Sequence, residues 1–278
     1  MNSRSRRSPG FAPVAAGEEL LPGYRVVDLL AHGRRLDTYD AWDEERECRV
    51  VVKILRPDRM HEPRVVRATL QEGRLVTSLA HPHLVRGFDV VEVPRPAIVL
   101  ETLSGATLDA VAEEHPLAPG DVAQLALQLA SVLGYLHRHG WLHLDVKPAN
   151  VVVRGGQAVL IDLSLAGPAG EGRPGAGTRG YLSPEQALGR GLSPASDVFG
   201  LGVTLLECLT GDLPFGEEAT WETRRRIPLI HRPLPRAPDR LPGVPEELAQ
   251  LLIACVALDA ERRPTLARVR EVCLATLG

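Results

Sequence analysis

The residues best suited to chemistry lie in one string, His143-Leu-Asp-Val-Lys-Pro-Ala-Asn150, and in Asp162 twelve positions beyond it. Asp145, Lys147 and Asn150 are spaced two and three apart, and Asp162 closes the apolar run Val159-Leu-Ile. A carboxylate on a loop can accept a hydroxyl proton, and an ammonium neutralises a phosphate oxygen. A carboxylate with an amide oxygen offers the hard donors that Mg²⁺ prefers. These roles suit Asp145, Lys147 and the pair Asn150 and Asp162 in turn. A polar turn between helix and strand accounts for any one of these residues, but poorly for all four.

The flanking patterns supply the elements that must hold that string. Upstream, Val122, Leu125, Ala126, Leu129, Val132, Leu133 and Leu136 recur at the spacing of one helix face. Gly140 suits the position just past that helix. Downstream, 151–153 and 158–161 read as short strands joined by Gly155-Gly156. The string therefore occupies a loop between a helix and a hairpin. Residues 165–177 (LAGPAGEGRPGAG) are loop, expected to be mobile until a substrate or partner orders them. Helical periods return at 197–209, 246–257 and 266–277. Before residue 105 the signal is strand-like from Leu20 to about Leu55, with β-branched runs at 24–30 and 49–55, and again at 84–91 and 97–101, broken by one amphipathic helix over 62–79. Strands with one helix, followed by helices, suggest two unequal lobes joined near 101–105.

Composition removes several function classes. With 278 residues, a net charge of −3 and 44% hydrophobic residues, the chain is globular and has no basic field for nucleic acid or anionic lipid. Aromatics at 4% disfavour base-stacking platforms. Cys48, Cys208, Cys255 and Cys273 form no CxxC, which excludes zinc ribbons and dithiol redox motifs and fits a reducing, cytoplasmic setting. Glu207 interrupts the best apolar run, so no membrane span is expected, and Arg4, Arg6 and Arg7 are followed by no signal-like apolar segment. Residues 1–17 are small, polar and basic. The stretch 223–245 carries six prolines and six arginines and reads as a solvated connection, with docking to an acidic partner as the alternative.

The string resembles the catalytic loop of eukaryotic-type (Hanks-type) serine/threonine protein kinases, bacterial branch, and the resemblance runs from Tyr24 to Ala275. Val50-Val-Val-Lys53 resembles the third-strand lysine motif, and Glu72 the helix glutamate that pairs with it. His81-Pro-His-Leu-Val resembles the entry to strand four. Ile98-Val-Leu-Glu-Thr-Leu103 resembles strand five and the hinge, with Leu100 as gatekeeper. Gly177-Thr-Arg-Gly-Tyr-Leu-Ser-Pro-Glu185 resembles the substrate-binding loop and the Ala-Pro-Glu motif. Asp197-Val-Phe-Gly-Leu-Gly202 resembles the αF anchor, and Arg263 the arginine that pairs with Glu185.

The resemblance implies an α+β kinase fold. It comprises a disordered basic tail (1–20), a small β-rich N-lobe with one main helix (21–101) and a larger helical C-lobe (102–278), the domain spanning 24–275. It implies ATP- and Mg²⁺-dependent transfer of the γ-phosphate to a protein serine or threonine. ATP contacts are expected from Leu30, Ala31, His32, Gly33, Thr38, Val51, Lys53, Glu72, Leu100, Glu101, Leu103 and Val152. Asp145, Lys147 and Thr178 are expected in catalysis, Asn150 and Asp162 on the metal, and His143, Glu185, Asp197 and Arg263 in support. The expected partners are a protein substrate and a regulatory protein, with neither nucleic acid nor a membrane span involved.

Departures from the family pattern qualify this. Its three loop glycines are here Ala31, Gly33 and Leu36, its strand-three alanine is Val51, and its Asp-Phe-Gly is Asp162-Leu-Ser164. The arginine before the catalytic Asp is Leu144, which cannot hold a phosphate, and residues 165–177 contain no Ser, Thr or Tyr. Together these imply a kinase without an activation-loop phosphate switch. The alternative is a pseudokinase, a binding scaffold with a degenerate glycine-rich loop. Small-molecule kinases share the Asp-to-Asn spacing but usually lack the intervening lysine and the Glu–Arg pair, and fit less well.

Overall fold

The computed structural model describes residues 12–216, 241 and 243–278. The chain divides into two compact units. One runs to Ala80 and resumes over Val85–Leu103; the other comprises His81–Leu84 and Ser104–Gly278.

The first unit is an antiparallel sheet with one helix. Its strands are β1 (Glu19–Leu21), β2 (Tyr24–His32), β3 (Leu36–Asp43), β4 (Cys48–Leu55), β5 (Gly87–Val91) and β6 (Ala97–Glu101), in the order β1-β2-β3-β4-β6-β5. Alternation explains β4: Val50, Val52 and Ile54 are buried, which turns Val51 and Lys53 to the other face. Helix α1 (Pro63–Ser78) starts on a proline, whose missing N–H costs nothing in a first turn, and it buries Leu75 and Val76. Glu72 is buried with them. Strand β3 is less ordinary, because Asp37, Asp40 and Asp43 are all buried. Arg49 pairs with Asp40, Arg46 reaches Asp43 at 2.8 Å, and His32 Nδ1 lies 2.8 Å from Asp37.

The second unit holds a three-stranded sheet, β7 (Ala106–Thr107), β8 (Val151–Arg154) and β9 (Gln157–Leu160), in the order β7-β8-β9. Its described helices are α2 (Leu108–Glu114), α3 (Pro119–Arg138), α4 (Pro184–Leu188), α5 (Pro194–Thr210), α6 (Glu246–Cys255) and α7 (Leu266–Leu277). α3 buries the apolar face read from its spacing. α5 is buried nearly all round, with Val198, Phe199, Leu201, Val203 and Leu205 inside, as befits a central helix. Among the described residues no helix is long and apolar enough to cross a membrane.

Four expectations need correction. Residues 19–20, assigned to the tail, lie in β1, and the Val14 amide already donates to the Tyr39 hydroxyl at 3.0 Å. The strand expected from residue 84 starts at Gly87, because Leu84 bridges Leu160 instead. Residues 81–84 accordingly group with the second unit: Gln157 donates to the Pro82 carbonyl at 2.9 Å and the Leu160 amide to the His83 carbonyl at 2.9 Å. Segment 165–177 is not a free loop, as detailed below. The tail before residue 12 and most of the 223–245 stretch lie outside the described residues.

Candidate active site

The loop 143–150 is suspended from α5. Asp197, 1% exposed in the first turn of that helix, accepts the His143 amide at 2.8 Å and the Leu144 amide at 2.7 Å. His137 Nε2 lies 2.7 Å from the same carboxylate. Leu144 has φ +64°, a left-handed conformation that costs a side-chain-bearing residue roughly 1–2 kcal/mol. Its bonded amide offsets that strain. His143 is fully buried; burial pushes its pKa down, against the pull of the Asp197, Asp145 and Asp162 charges. A neutral imidazole keeps a lone pair on Nδ1, and that atom accepts the Asp145 amide at 3.2 Å.

The Asp145 carboxylate is held on both oxygens. Oδ1 accepts the Thr178 amide at 2.9 Å and the Thr178 hydroxyl at 2.7 Å. Oδ2 accepts Asn150 Nδ2 at 3.0 Å and lies 3.2 Å from Lys147 Nζ. Lys147 also donates to Thr178 Oγ1 at 2.6 Å, and Asn150 to the Asp145 carbonyl at 2.8 Å. Four sequence-selected residues thus meet in one constellation. Asp162 follows β9 and receives the Ser164 amide at 2.8 Å. Asn150 turns its amide nitrogen to Asp145, so its oxygen is the atom suited to a cation. One carboxylate and one amide oxygen form a donor set that fits Mg²⁺, which is commonly held by one or two protein ligands plus substrate phosphates. Among the described residues no cluster of three or more His, Cys, Asp or Glu forms a self-sufficient metal cage.

Segment 165–177 is stitched by its backbone. Gly167 and Leu142 exchange two hydrogen bonds (2.7 and 3.0 Å), as do Gly170 and Leu192 (both 2.8 Å). The Gly172 amide donates to the Gly189 carbonyl at 2.9 Å and the Gly175 amide to the Gln186 carbonyl at 2.9 Å. Gly189, at φ +68°, ends α4, and a Cβ there would press on Pro174 at 2.5 Å. Against the expected mobility, glycine amides, which carry no side-chain pattern, find carbonyl partners on Leu142, on α4 and just beyond it.

Behind α4, Arg263 forks onto Glu185 with bonds of 2.6 and 3.0 Å. Its other donors reach the carbonyls of Ala257, Ala195 and Leu258, so all five guanidinium N–H groups are used. Ser196 adds a hydroxyl to Glu185 at 2.8 Å.

The remaining candidates belong to the first unit, apart from Val152, which lies on β8 opposite Val159. Lys53 Nζ lies 3.1 Å from Glu72 Oε1, with both side chains largely buried. Thr38 pairs with Lys53 across β3–β4, and Val51 pairs with Leu100 across β4–β6. The Glu101 carboxylate accepts the Arg86 amide at 2.8 Å, and Leu103 is half-buried. At the end of β2, Leu30, Ala31 and His32 are exposed, and in the turn that follows the Gly33 amide donates to the Leu36 carbonyl at 3.0 Å. Arg56 ties this turn down: Nη1 lies 2.6 Å from His32 Nε2 and donates to the Gly33 carbonyl at 3.2 Å. Sequence reading missed Arg56, because a single arginine after a strand has no spacing signature.

The comparisons agree with this geometry. The protein kinase domain family matches residues 24–273. The chain is 31% identical over 254 residues to the serine/threonine-protein kinase PknB of Mycobacterium leprae, covering 86% of this chain and 40% of that protein. It is 32% identical over 272 residues to the serine/threonine-protein kinase Pkn1 of Myxococcus xanthus, covering 92% and 39%. It is 33% identical over 245 residues to the serine/threonine-protein kinase PkaA of Streptomyces coelicolor, covering 82% and 44%. The chain therefore spans about two fifths of the length of these relatives. With its α+β architecture, its Asp145 constellation and its forked Glu185–Arg263 pair, this chain belongs to the protein kinase domain family.

Proposed function

We propose that this chain is a cytoplasmic ATP- and Mg²⁺-dependent serine/threonine protein kinase domain. The observation that carries this reading is the Asp145 carboxylate, oriented by Thr178, Asn150 and Lys147 on a loop hung from Asp197. Asp145 accepts the proton of the acceptor hydroxyl. Lys147, two residues on, balances negative charge on the transferred group. Lys53, fixed by Glu72, orients the nucleotide phosphates. Asn150 and Asp162 would hold Mg²⁺, which would supply charge neutralisation at phosphate. Phosphoryl transfer depends mostly on positioning and electrostatics, so this set suffices. The names of the relatives and the Lys147–Thr178 contact favour the serine/threonine class. The test is transfer of labelled phosphate from ATP to a generic serine/threonine acceptor with and without Mg²⁺. Absence of transfer in both conditions overturns the reading.

The tethered β2–β3 turn favours a second reading, the binding scaffold. Arg56 reaches from beyond β4 to hold, and Leu36 closes, the loop that in the family covers phosphate. A thermal shift with ATP but no phosphate transfer would mark that case. Under the kinase reading, Leu36→Gly is expected to raise apparent ATP affinity severalfold, because a backbone without a Cβ can approach phosphate. Calorimetric titration with ATP and Mg²⁺ checks this, and an unchanged affinity rejects it.

We also read the activity as independent of activation-loop phosphate. Leu144 offers no cation, residues 165–177 offer no hydroxyl, and backbone bonds already order the segment. Phosphatase treatment, verified by mass spectrometry over residues 162–185, should leave the rate within about twofold of the untreated protein, since no charge-assisted bond is lost. A large loss restored by phosphorylation of Thr178 or Ser164 rejects it.

A further inference from the structure

The geometry points to Gln186 as the positioning residue that links the catalytic loop to segment 165–177, an uncharged clasp in place of a phosphate–arginine pair. This deepens the kinase reading and rests on it.

Gln186 is 4% exposed, and its amide is fully engaged. Nε2 donates to the Leu144 carbonyl at 2.7 Å and to the Ala176 carbonyl at 3.3 Å. Oε1 accepts the Ser183 amide at 3.3 Å and the Ser183 hydroxyl at 3.2 Å. Two donors and two acceptor sites are the whole inventory of a primary amide. The three segments joined are the residue before the proposed base, the end of segment 165–177, and the cap of α4. The Gln186 backbone carbonyl adds the bond from Gly175.

Leu144 shows why such a clasp is needed. Its strained φ is fixed by its amide on Asp197 at one end and by its carbonyl on Gln186 at the other. Asp145 follows directly, and its Oδ1 meets Thr178, two residues beyond Ala176. Shifting the Leu144 carbonyl or residue 176 therefore moves both sides of the Asp145–Thr178 contact. A charged lysine in place of Gln186 has no acceptor for Ser183. A carboxylate has no donor for two carbonyls. Only an amide of this length serves all four partners.

A capping role alone is separable from the clasp. The motif Ser-x-x-Gln caps a helix, and Ser-x-x-Glu does so equally well. Gln186→Glu therefore keeps the cap but puts carboxylate oxygens against the carbonyls of Leu144 and Ala176. In the full chain, this variant should speed hydrogen exchange at the amides of Gly170, Gly172 and Gly175 by about tenfold or more. It should lower kcat by roughly ten- to hundredfold, with the KM for ATP within twofold, as a small misplacement of a reacting group does. If Gln186→Glu does not fold, Gln186→Met, which loses both clasp and cap, is compared with Ser183→Ala, which weakens the cap alone, and the same expectation applies to the excess of the first over the second. Unchanged exchange and unchanged kcat in the folded variant overturn the proposal and leave Gln186 a helix cap. If the wild type transfers no phosphate, the kinase reading falls separately. Exchange then decides the clasp alone, with faster exchange supporting it and unchanged exchange overturning it.

Discussion

Asp145→Asn is expected to lower phosphoryl transfer by about 10²–10⁴-fold, the usual cost of losing a general base, while ATP binding stays nearly intact. The substitution removes the negative charge that Lys147 faces at 3.2 Å and turns one of the two carboxylate oxygens, the one Asn150 and Lys147 meet, into an NH₂ that cannot accept. It leaves Lys53 and Glu72, in the other unit, untouched. Asp162→Asn is the contrasting variant: losing a hard anionic donor should weaken Mg²⁺-dependent ATP binding itself. Titration calorimetry with and without Mg²⁺, together with initial rates, separates the two. Undiminished transfer by Asp145→Asn removes that residue from the proposed chemistry.

The second large effect falls on stability. Arg263→Met should destabilise the second unit by about 3 kcal/mol, because the largely buried Glu185 loses its counter-charge and keeps only the Ser196 hydroxyl. Arg263→Lys should recover little, since one ammonium cannot replace a fork that also binds three carbonyls. The double variant Glu185→Gln/Arg263→Met should be less destabilised than Arg263→Met alone, because no charge is stranded. Burial alone would raise the Glu185 carboxyl, but hydrogen bonds and charge from Arg263, with Ser196, bring it below its ordinary value of 4.5. A depressed folded-state pKa gives stability that is complete above the unfolded value. That contribution is lost as pH falls below about 4.5 and through the lower folded value. Urea denaturation at neutral and acidic pH checks both points. An Arg263→Met protein as stable as the wild type, or a wild type whose stability is flat across that acid range, counts against the pair.

How well the sequence announced each part depended on whether the cause was local. The string 143–150 was readable because its chemistry is compressed into eight residues, and α3 because one face repeats an apolar spacing. Strand β3 falls inside the strand-like stretch from Leu20 to Leu55, but its burial could not be read. Leu36-Asp-Thr-Tyr-Asp-Ala-Trp-Asp puts carboxylates where a buried strand normally has apolar groups, and their partners Arg46, Arg49 and His32 come from neighbouring segments. β1 and α2 are too short for a period to register. The glycine-rich segment 165–177 reads as free because its restraint lies in backbone amides, which leave no trace in residue type. The Gln186 clasp was equally silent: its four bonds join three segments, and only folding makes them neighbours.

The long reach of the Glu185–Arg263 fork bears on the order in which the protein is made. Glu185 waits 78 positions for its arginine, and His143 waits 54 for the Asp197 carboxylate that holds its amide. Translation delivers the proposed base first, its anchor next and the fork last. A ribosome-bound chain that has exposed Asp145 still lacks the contacts that aim it, and closing such distant pairs is the slow part of folding. Under the kinase reading, Asp145 is expected to be aimed only after Thr178 and Asp197 have followed it out, and the Glu185–Arg263 fork to close last.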